Sequence, residues 1–175
     1  MAMNNRQYST EFDEVYKLLL QLSVSIQHIR ETSFHLTRAG GGALPPAWSG
    51  FQHFFQTGEY FHHRCQGYVE SLLVTGGYAP RSVNIWVNQL VYTANEHFKQ
   101  AMPYWDQVMR SPGFAALPQF AALDRQLKEF WPTEGRIMVA ANRLNTAAPP
   151  SGKATQPAAG QAAAGIPPAP APAGQ

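Results

Sequence analysis

Hydrophobic side chains recur every three or four residues through the first 145 positions of the chain, which is the spacing of buried helix faces. A first helix is expected to begin at Thr10, a capping residue followed by three acidic side chains in the first turn. Its pattern continues to about Arg38 and should stop at the glycines 40–42. Its apolar stripe consists of Phe12, Val15, Leu19, Leu22, Ile26 and Ile29.

A second helix is expected to open after Pro45-Pro46, with Ser49 and Gln52 as a capping box, and to end at Gly76-Gly77. Gly58 lies on its apolar stripe, where the missing side chain would let a neighbouring helix approach closely. The other members of the stripe are Phe51, Phe54, Phe55, Phe61, Cys65, Tyr68 and Leu72.

A third helix is expected from Pro80, and Pro103 should kink or interrupt it because proline removes a backbone hydrogen bond. Its apolar face consists of Val83, Val87, Leu90, Ala94, Phe98, Ala101, Trp105 and Val108. A fourth helix should open at Pro118 and end or bend at Pro132, before a short final helix.

Sustained period-two alternation does not occur, so the sequence predicts an all-α fold. The short loops favour antiparallel neighbours, and hence an up-down bundle of four main helices with proline breaks. After Asn145 the composition changes abruptly to mostly Ala, Pro, Gly and Gln, whereas all 21 aromatic residues lie at or before Trp131. We therefore expect a helical domain at 1–145 and a disordered low-complexity tail at 146–175.

The simplest role for this tail is that of a spacer. The Pro-Ala-Pro-Ala-Pro run at 168–172 would also suit an aromatic groove, although no basic residue beside it fixes a binding orientation.

Charge and hydropathy exclude several classes of protein. The net charge is +2 without a basic cluster, so nucleic-acid binding is not expected. The longest apolar runs are too short for a transmembrane helix, and the polar beginning of the chain does not resemble a signal peptide. We therefore expect a cytoplasmic protein, and the single cysteine agrees with a reducing compartment.

Charged residues make up 14% of the chain, against about 25% in an average soluble domain. Such a chain is expected to bury more than one face, as a homo-oligomer or on a protein partner. The sequence thus favours a non-enzymatic structural, scaffolding or adaptor protein that self-associates through aromatic helix faces; an apolar granule or cargo is a further possible partner. The expected contact residues are Phe51, Phe54, Phe55, Tyr60, Trp86, Tyr92 and Trp105.

A metal-binding bundle is the alternative. Glu59 and His62 form a Glu-x-x-His pair, and the carboxylates and imidazoles on the first three helices resemble part of the di-metal site of ferritin-like bundles. This resemblance implies iron, manganese or zinc. It is incomplete, because those bundles need a second Glu-x-x-His and the fourth helix has no histidine. The candidate ligands are Glu31, His35, Glu59, His62, Glu96 and His97.

Cys65 lies two and three residues after a pair of histidines, yet it also falls on the apolar stripe of the second helix. A nucleophilic cysteine needs a lowered thiol pKa and an orienting third group, for which the sequence offers no candidate. We therefore expect Cys65 to be a small buried hydrophobic residue and the protein to have no catalytic residues.

Overall fold

The computed structural model describes residues 10–75 and 81–146. Within these ranges the chain is helical and contains no β-strand, which confirms the predicted all-α class. The helices are α1 (Thr10–Gly40), α2 (Pro46–Thr75), α3 (Arg81–Met109), the single turn α4 (Pro112–Ala115) and α5 (Pro118–Thr146), with a 3-10 turn at Gly41–Ala43.

The contacts between α1 and α2 show that these helices are antiparallel. Thr37, near the end of α1, accepts a hydrogen bond from the indole of Trp48 at the start of α2 (3.0 Å). Ser23, earlier in α1, lies 2.8 Å from the ring nitrogen Nε2 of His62, later in α2.

The same inverse order relates α3 to α5, since Asn84 contacts Leu144 whereas Trp105 contacts Asp124. An ion pair between Glu14 and Arg143 (3.4 Å) joins the start of α1 to the end of α5. The four long helices therefore form an up-down bundle in which α1 is adjacent to both α2 and α5.

Aromatic side chains fill one half of the core. Stacked or tilted rings connect Trp48 to Phe51 and Trp105 to Phe120, at centroid distances of 5.4 and 4.8 Å. The other half, towards the end of α5, is mostly aliphatic apart from Phe12. The buried aromatic residues of the first half are Trp48, Phe51, Phe55, Phe98, Trp105, Phe114, Phe120 and Phe130.

Gly58 allows α2 and α3 to approach each other closely, as the sequence predicts. A Cβ atom at this position would lie 2.6 Å from carbons of the Phe98 ring. Phe98 in turn packs against Phe55 and Phe130 at centroid distances of 5.1 and 4.9 Å. The ring fills the space that an ordinary side chain would need.

The beginning of α2 differs from the prediction. The helix starts at Pro46, so Ser49 is inside it, and the Ser49 hydroxyl donates to the carbonyl of Pro46 (2.9 Å). The amide of Gln52 donates to Thr37 of α1 instead of closing a capping box (3.1 Å). A proline at the first helical position needs no amide partner, so the helix can begin there without a side-chain cap.

Neither interior proline interrupts its helix, contrary to the prediction of proline breaks. Pro103 lies within α3 and Pro132 within α5, and both are exposed. Water can solvate the carbonyl that each proline leaves without a donor, while buried neighbours on the inner face hold the helix together. Pro118, in contrast, begins α5 as expected.

Three predictions fall outside the described residues: the helix end at Gly76-Gly77, the helix start at Pro80, and the tail after Thr146. The predicted end of α1 agrees with the structure, since the helix ends at Gly40. In the part of the chain that the structure describes, none of the helices is both long and apolar enough to cross a membrane.

Candidate functional site

The candidate metal ligands on α1 are on its outer surface. Glu31 is exposed and accepts a hydrogen bond from Gln27 one turn earlier (3.0 Å). His35 is also exposed, and its ring lies edge-on against Phe34.

The Glu-x-x-His pair of α2 divides between the edge and the interior of the bundle. Glu59 faces α1, where it contacts Arg30 at 3.4 Å and lies 3.5 Å from His63. His62 points inwards and is 2% exposed. Their spacing of three residues is typical of a metal-ligand pair. Here, however, Glu59 contacts Arg30 and His62 contacts Ser23.

The candidates on α3 also have local partners. Glu96 pairs with Lys99 on the same helix (3.3 Å). The ring of His97 stacks in parallel on Phe61 of α2, with centroids 5.5 Å apart. The structure therefore does not bring the six candidate ligands together, and residues 10–75 and 81–146 contain no group of three His, Cys, Asp or Glu side chains that could hold a metal ion.

A layer of polar residues, three of them buried and Ser23 half-buried, crosses the middle of the bundle instead. We call it the polar layer: Ser23 of α1, His62 of α2, Asn95 of α3 and Glu134 of α5. Burial lowers the pKa of His62 to about 3, helped by the nearby His63 and opposed by a hydrogen bond at Leu19. Burial raises the pKa of Glu134, opposed by a hydrogen bond from Asn95. Both titratable groups are therefore held towards their neutral forms.

The polar layer borders a cavity of about 10 Å³ in the aliphatic half of the core, which is at most the space of one water molecule. Cys65 also faces this cavity and is fully buried. Burial raises the pKa of its thiol to about 12, so the thiolate is scarce at neutral pH. The expectation that Cys65 is a small buried hydrophobic residue is confirmed.

The candidate site residues did not include Ser23, Asn95 or Glu134. Glu134 had a detectable signal, because it continues the apolar stripe of Leu127, Phe130 and Ile137 at helical spacing. A carboxylate on such a stripe indicates burial. Ser23 and Asn95 gave no comparable signal, since small polar residues are common at the edges of helix faces.

The aromatic residues predicted to contact a partner divide into two groups. Phe51, Phe55 and Trp105 are buried in the core, where Phe51 packs against the other two rings, so their contacts in this fold are internal. Phe54 is half-buried between α2 and α3 beside Tyr104. Periodicity identified the apolar stripe of α2 but did not distinguish residues of the core from residues that could contact a partner.

The other three aromatic residues are exposed, but in different surroundings. Tyr60 lies in a polar region of α2, where its hydroxyl accepts a hydrogen bond from Arg64 beside Glu59. Trp86 and Tyr92 are 44% and 54% exposed on α3, together with Ile85 at 43%.

These α3 residues define an uncharged surface, which we call the α3 outer face: Ile85, Trp86, Asn88, Gln89 and Tyr92. Ile85 and Tyr92 are two helical turns apart and share one side of the helix. Residues 82–95 include no Asp, Glu, Lys or Arg. Asn88 donates a hydrogen bond to Asn142 (3.0 Å), so the end of α5 lies directly beside this surface.

Exposed apolar side chains are concentrated in the half of the bundle that contains the α3 outer face. Of the ten large ones in the described residues, two lie in the opposite half, Phe34 and Met109. Six lie between the polar layer and the end of α5: Leu20, Val74, Ile85, Trp86, Tyr92 and Val139.

Comparison of the chain with protein-family models, curated proteins and solved structures gives no match.

Proposed function

We propose that the protein is a non-enzymatic structural protein whose bundle associates with a second copy through the α3 outer face. The observation that supports this proposal is the uncharged stretch 82–95 with its exposed Ile85, Trp86 and Tyr92. Exposed aromatic residues without neighbouring charge are typical of the centre of protein interfaces.

The same surface suits a copy of itself better than it suits a charged partner. In a two-fold contact each side chain meets the same surface of the other subunit, so a net charge there would repel itself. The amides of Asn88 and Gln89 can both donate and accept hydrogen bonds, which makes them compatible with their own copies. The outer surface of α5, in contrast, carries Arg125, Lys128 and Arg136.

A stable dimer needs roughly 800 Å² of buried surface on each partner. One side of α3 is narrow, but the same half of the bundle exposes further apolar side chains on α2 and α5. Val74 at the end of α2 is 84% exposed and Val139 of α5 is 53% exposed.

The chemistry of the core also agrees with a role in contact rather than in reaction. His62 and Cys65 are buried, and at neutral pH the imidazole of His62 is uncharged while Cys65 keeps its thiol proton. Neither side chain opens to the surface, so we expect the surface of the bundle to determine its function.

Sedimentation velocity over a concentration series tests the proposal. We expect the full chain to dimerise, and the double variant Trp86→Ser, Tyr92→Ser to dimerise at least roughly tenfold more weakly, because central aromatic residues dominate interface energies. Phe34→Ser is the matched control, since Phe34 is 57% exposed on α1 in the opposite half. A full chain that stays monomeric up to high concentration would refute self-association.

A further inference from the structure

The described chain ends beside the α3 outer face. The side-chain amide of Asn84 donates to the carbonyl of Leu144 (3.2 Å), so the last turn of α5 contacts the first turns of α3. The described part of α5 therefore ends beside Asn84 and Asn88, at one edge of the α3 outer face.

The tail contains a segment whose chemistry matches this surface. Ile166–Pro172 reads Ile-Pro-Pro-Ala-Pro-Ala-Pro and carries no charge. Such sequences favour the polyproline II helix, which binds to exposed Trp and Tyr side chains at low entropic cost. Residues three apart in this helix are about 9 Å apart, and Ile85 and Tyr92 are about 10 Å apart along α3.

The connecting chain is long enough to place this segment on α3. The 19 residues from 147 to 165 span roughly 25 Å on average if they behave as a flexible coil. Tyr92 lies eight residues beyond Asn84, a distance of about 12 Å along the helix. Because the link is covalent, the effective concentration of the segment reaches about the millimolar range.

The covalent link also fixes the direction of binding, which this proline-rich segment could not do as a free peptide. No basic residue adjoins the Pro-Ala-Pro-Ala-Pro run, so a free peptide would have no charge to fix its direction on the α3 outer face. A segment attached to the end of α5 approaches α3 from one side only. The absence of a basic residue also suits the α3 outer face, which has no acidic partner to offer.

We propose that the segment Ile166–Pro172 docks on the α3 outer face of its own chain and competes there with a second copy. The docking depends only on the tail and α3, whereas its effect on assembly rests on the proposed function. The tail then limits self-association: the dimer forms when the tail leaves the face.

NMR spectroscopy of the full chain tests the docking directly. The probe is the indole N–H signal of Trp86, assigned through the variant Trp86→Phe and recorded at a concentration where the protein is monomeric. We expect replacement of Pro167, Pro168, Pro170 and Pro172 by serine to move this signal. The signals of the buried Trp48 and Trp105 should stay in place.

The matched control replaces the prolines of the nearer part of the tail, Pro149, Pro150 and Pro157, by serine. We expect it to leave the Trp86 signal unchanged, since it keeps the docking segment intact. An identical Trp86 signal in the wild type and in the four-proline variant overturns the docking, as does an equal shift in the control.

Sedimentation of the same variants separates this inference from the proposed function. If the tail covers the α3 outer face in at least half of the molecules, loss of docking in the four-proline variant should strengthen dimerisation by at least about fourfold. The reason is that the face must be uncovered in both copies. A moved Trp86 signal without dimerisation in any variant supports the docking and refutes the proposed function. Equal dimerisation in all variants, with an unmoved Trp86 signal, supports the proposed function and overturns the docking.

Discussion

A glycine within a 30-residue helix lowers helix stability, so its position needs a physical reason. Three such glycines occur in α2, at positions 50, 58 and 67, and the last two differ in what surrounds them. Gly58 faces the ring of Phe98, whereas a Cβ atom at Gly67 would meet nothing within 4 Å. Gly58 permits a close helix contact, whereas Gly67 has no packing role in the described residues.

Substitution by alanine should therefore have opposite effects at these two positions. Gly58→Ala should lower the free energy of unfolding by about 1–2 kcal/mol, since the cost of overpacking exceeds the gain in helix propensity. Gly67→Ala should raise it by about 0.5–1 kcal/mol through propensity alone. Urea denaturation of both variants measures the difference. Equal effects would show that Phe98 can move aside.

Single residues also show where sequence patterns lose information. The spacing of Phe51 and Phe55 predicted an apolar stripe. It could not predict that residues of α3 and α5 would cover these two rings. Trp86 and Tyr92 lie off the main stripes, and this position correctly indicated exposure. Periodicity specifies the direction of a side chain relative to its own helix, while its neighbours depend on the tertiary fold.

At the scale of elements, the helices are longer than local rules predicted. Proline at 103 or 132 lowers the propensity of its helix, yet α3 and α5 continue through these positions. Buried side chains such as Ala101 and Trp105 on both sides of Pro103 contribute more to the stability of α3 than one missing hydrogen bond removes. Tertiary packing therefore overrides the local signal.

The interior prolines should still lower stability. Pro103→Ala restores an amide that can donate to the carbonyl of Lys99, and we expect it to raise the free energy of unfolding by about 2 kcal/mol. Pro118→Ala is the matched control, because Pro118 occupies the first position of α5, where its amide has no helical partner. We expect a change within about 0.5 kcal/mol there. Thermal unfolding followed by circular dichroism compares the two variants, and an equal change would contradict this account.

At the scale of the whole molecule, the sequence was sufficient to predict four long helices and the antiparallel order that their short loops impose. The division of the core into an aromatic and an aliphatic half, with the polar layer between them, was not predictable. It depends on the axial register between helices. The same register places Glu59 beside Arg30 and His62 beside Ser23 of α1. Helix periodicity contains no information about this register.

The polar layer should make stability depend on pH in two opposite directions. For His62 the pKa is lowered in the folded state, so its contribution is complete above about 6.5 and is lost as the pH falls towards about 3. For Glu134 the pKa is raised, so stability is greatest below the ordinary carboxyl pKa and decreases as the pH rises through the folded value. The two effects oppose each other between the acidic and neutral ranges.

The variant Glu134→Gln isolates the carboxylate. It removes the buried negative charge that forms at high pH, and we expect it to be more stable than the wild type at pH 8, with a difference that shrinks towards pH 4. Glu129→Gln, exposed on the same helix, is the matched control and should show no comparable trend. Urea midpoints at both pH values provide the measurement. A constant difference between Glu134→Gln and wild type would contradict a buried titration.

The position of Cys65 has a practical consequence for following the motions of this bundle. Its sulfur lies between α2 and α3, 3.9 Å from the carbonyl of Val87, and is completely covered. A thiol reagent can therefore react only after α2 and α3 have separated, so the rate of labelling counts spontaneous openings of this helix pair. Because the chain has a single cysteine, the added mass of the reagent identifies that event without any engineered label.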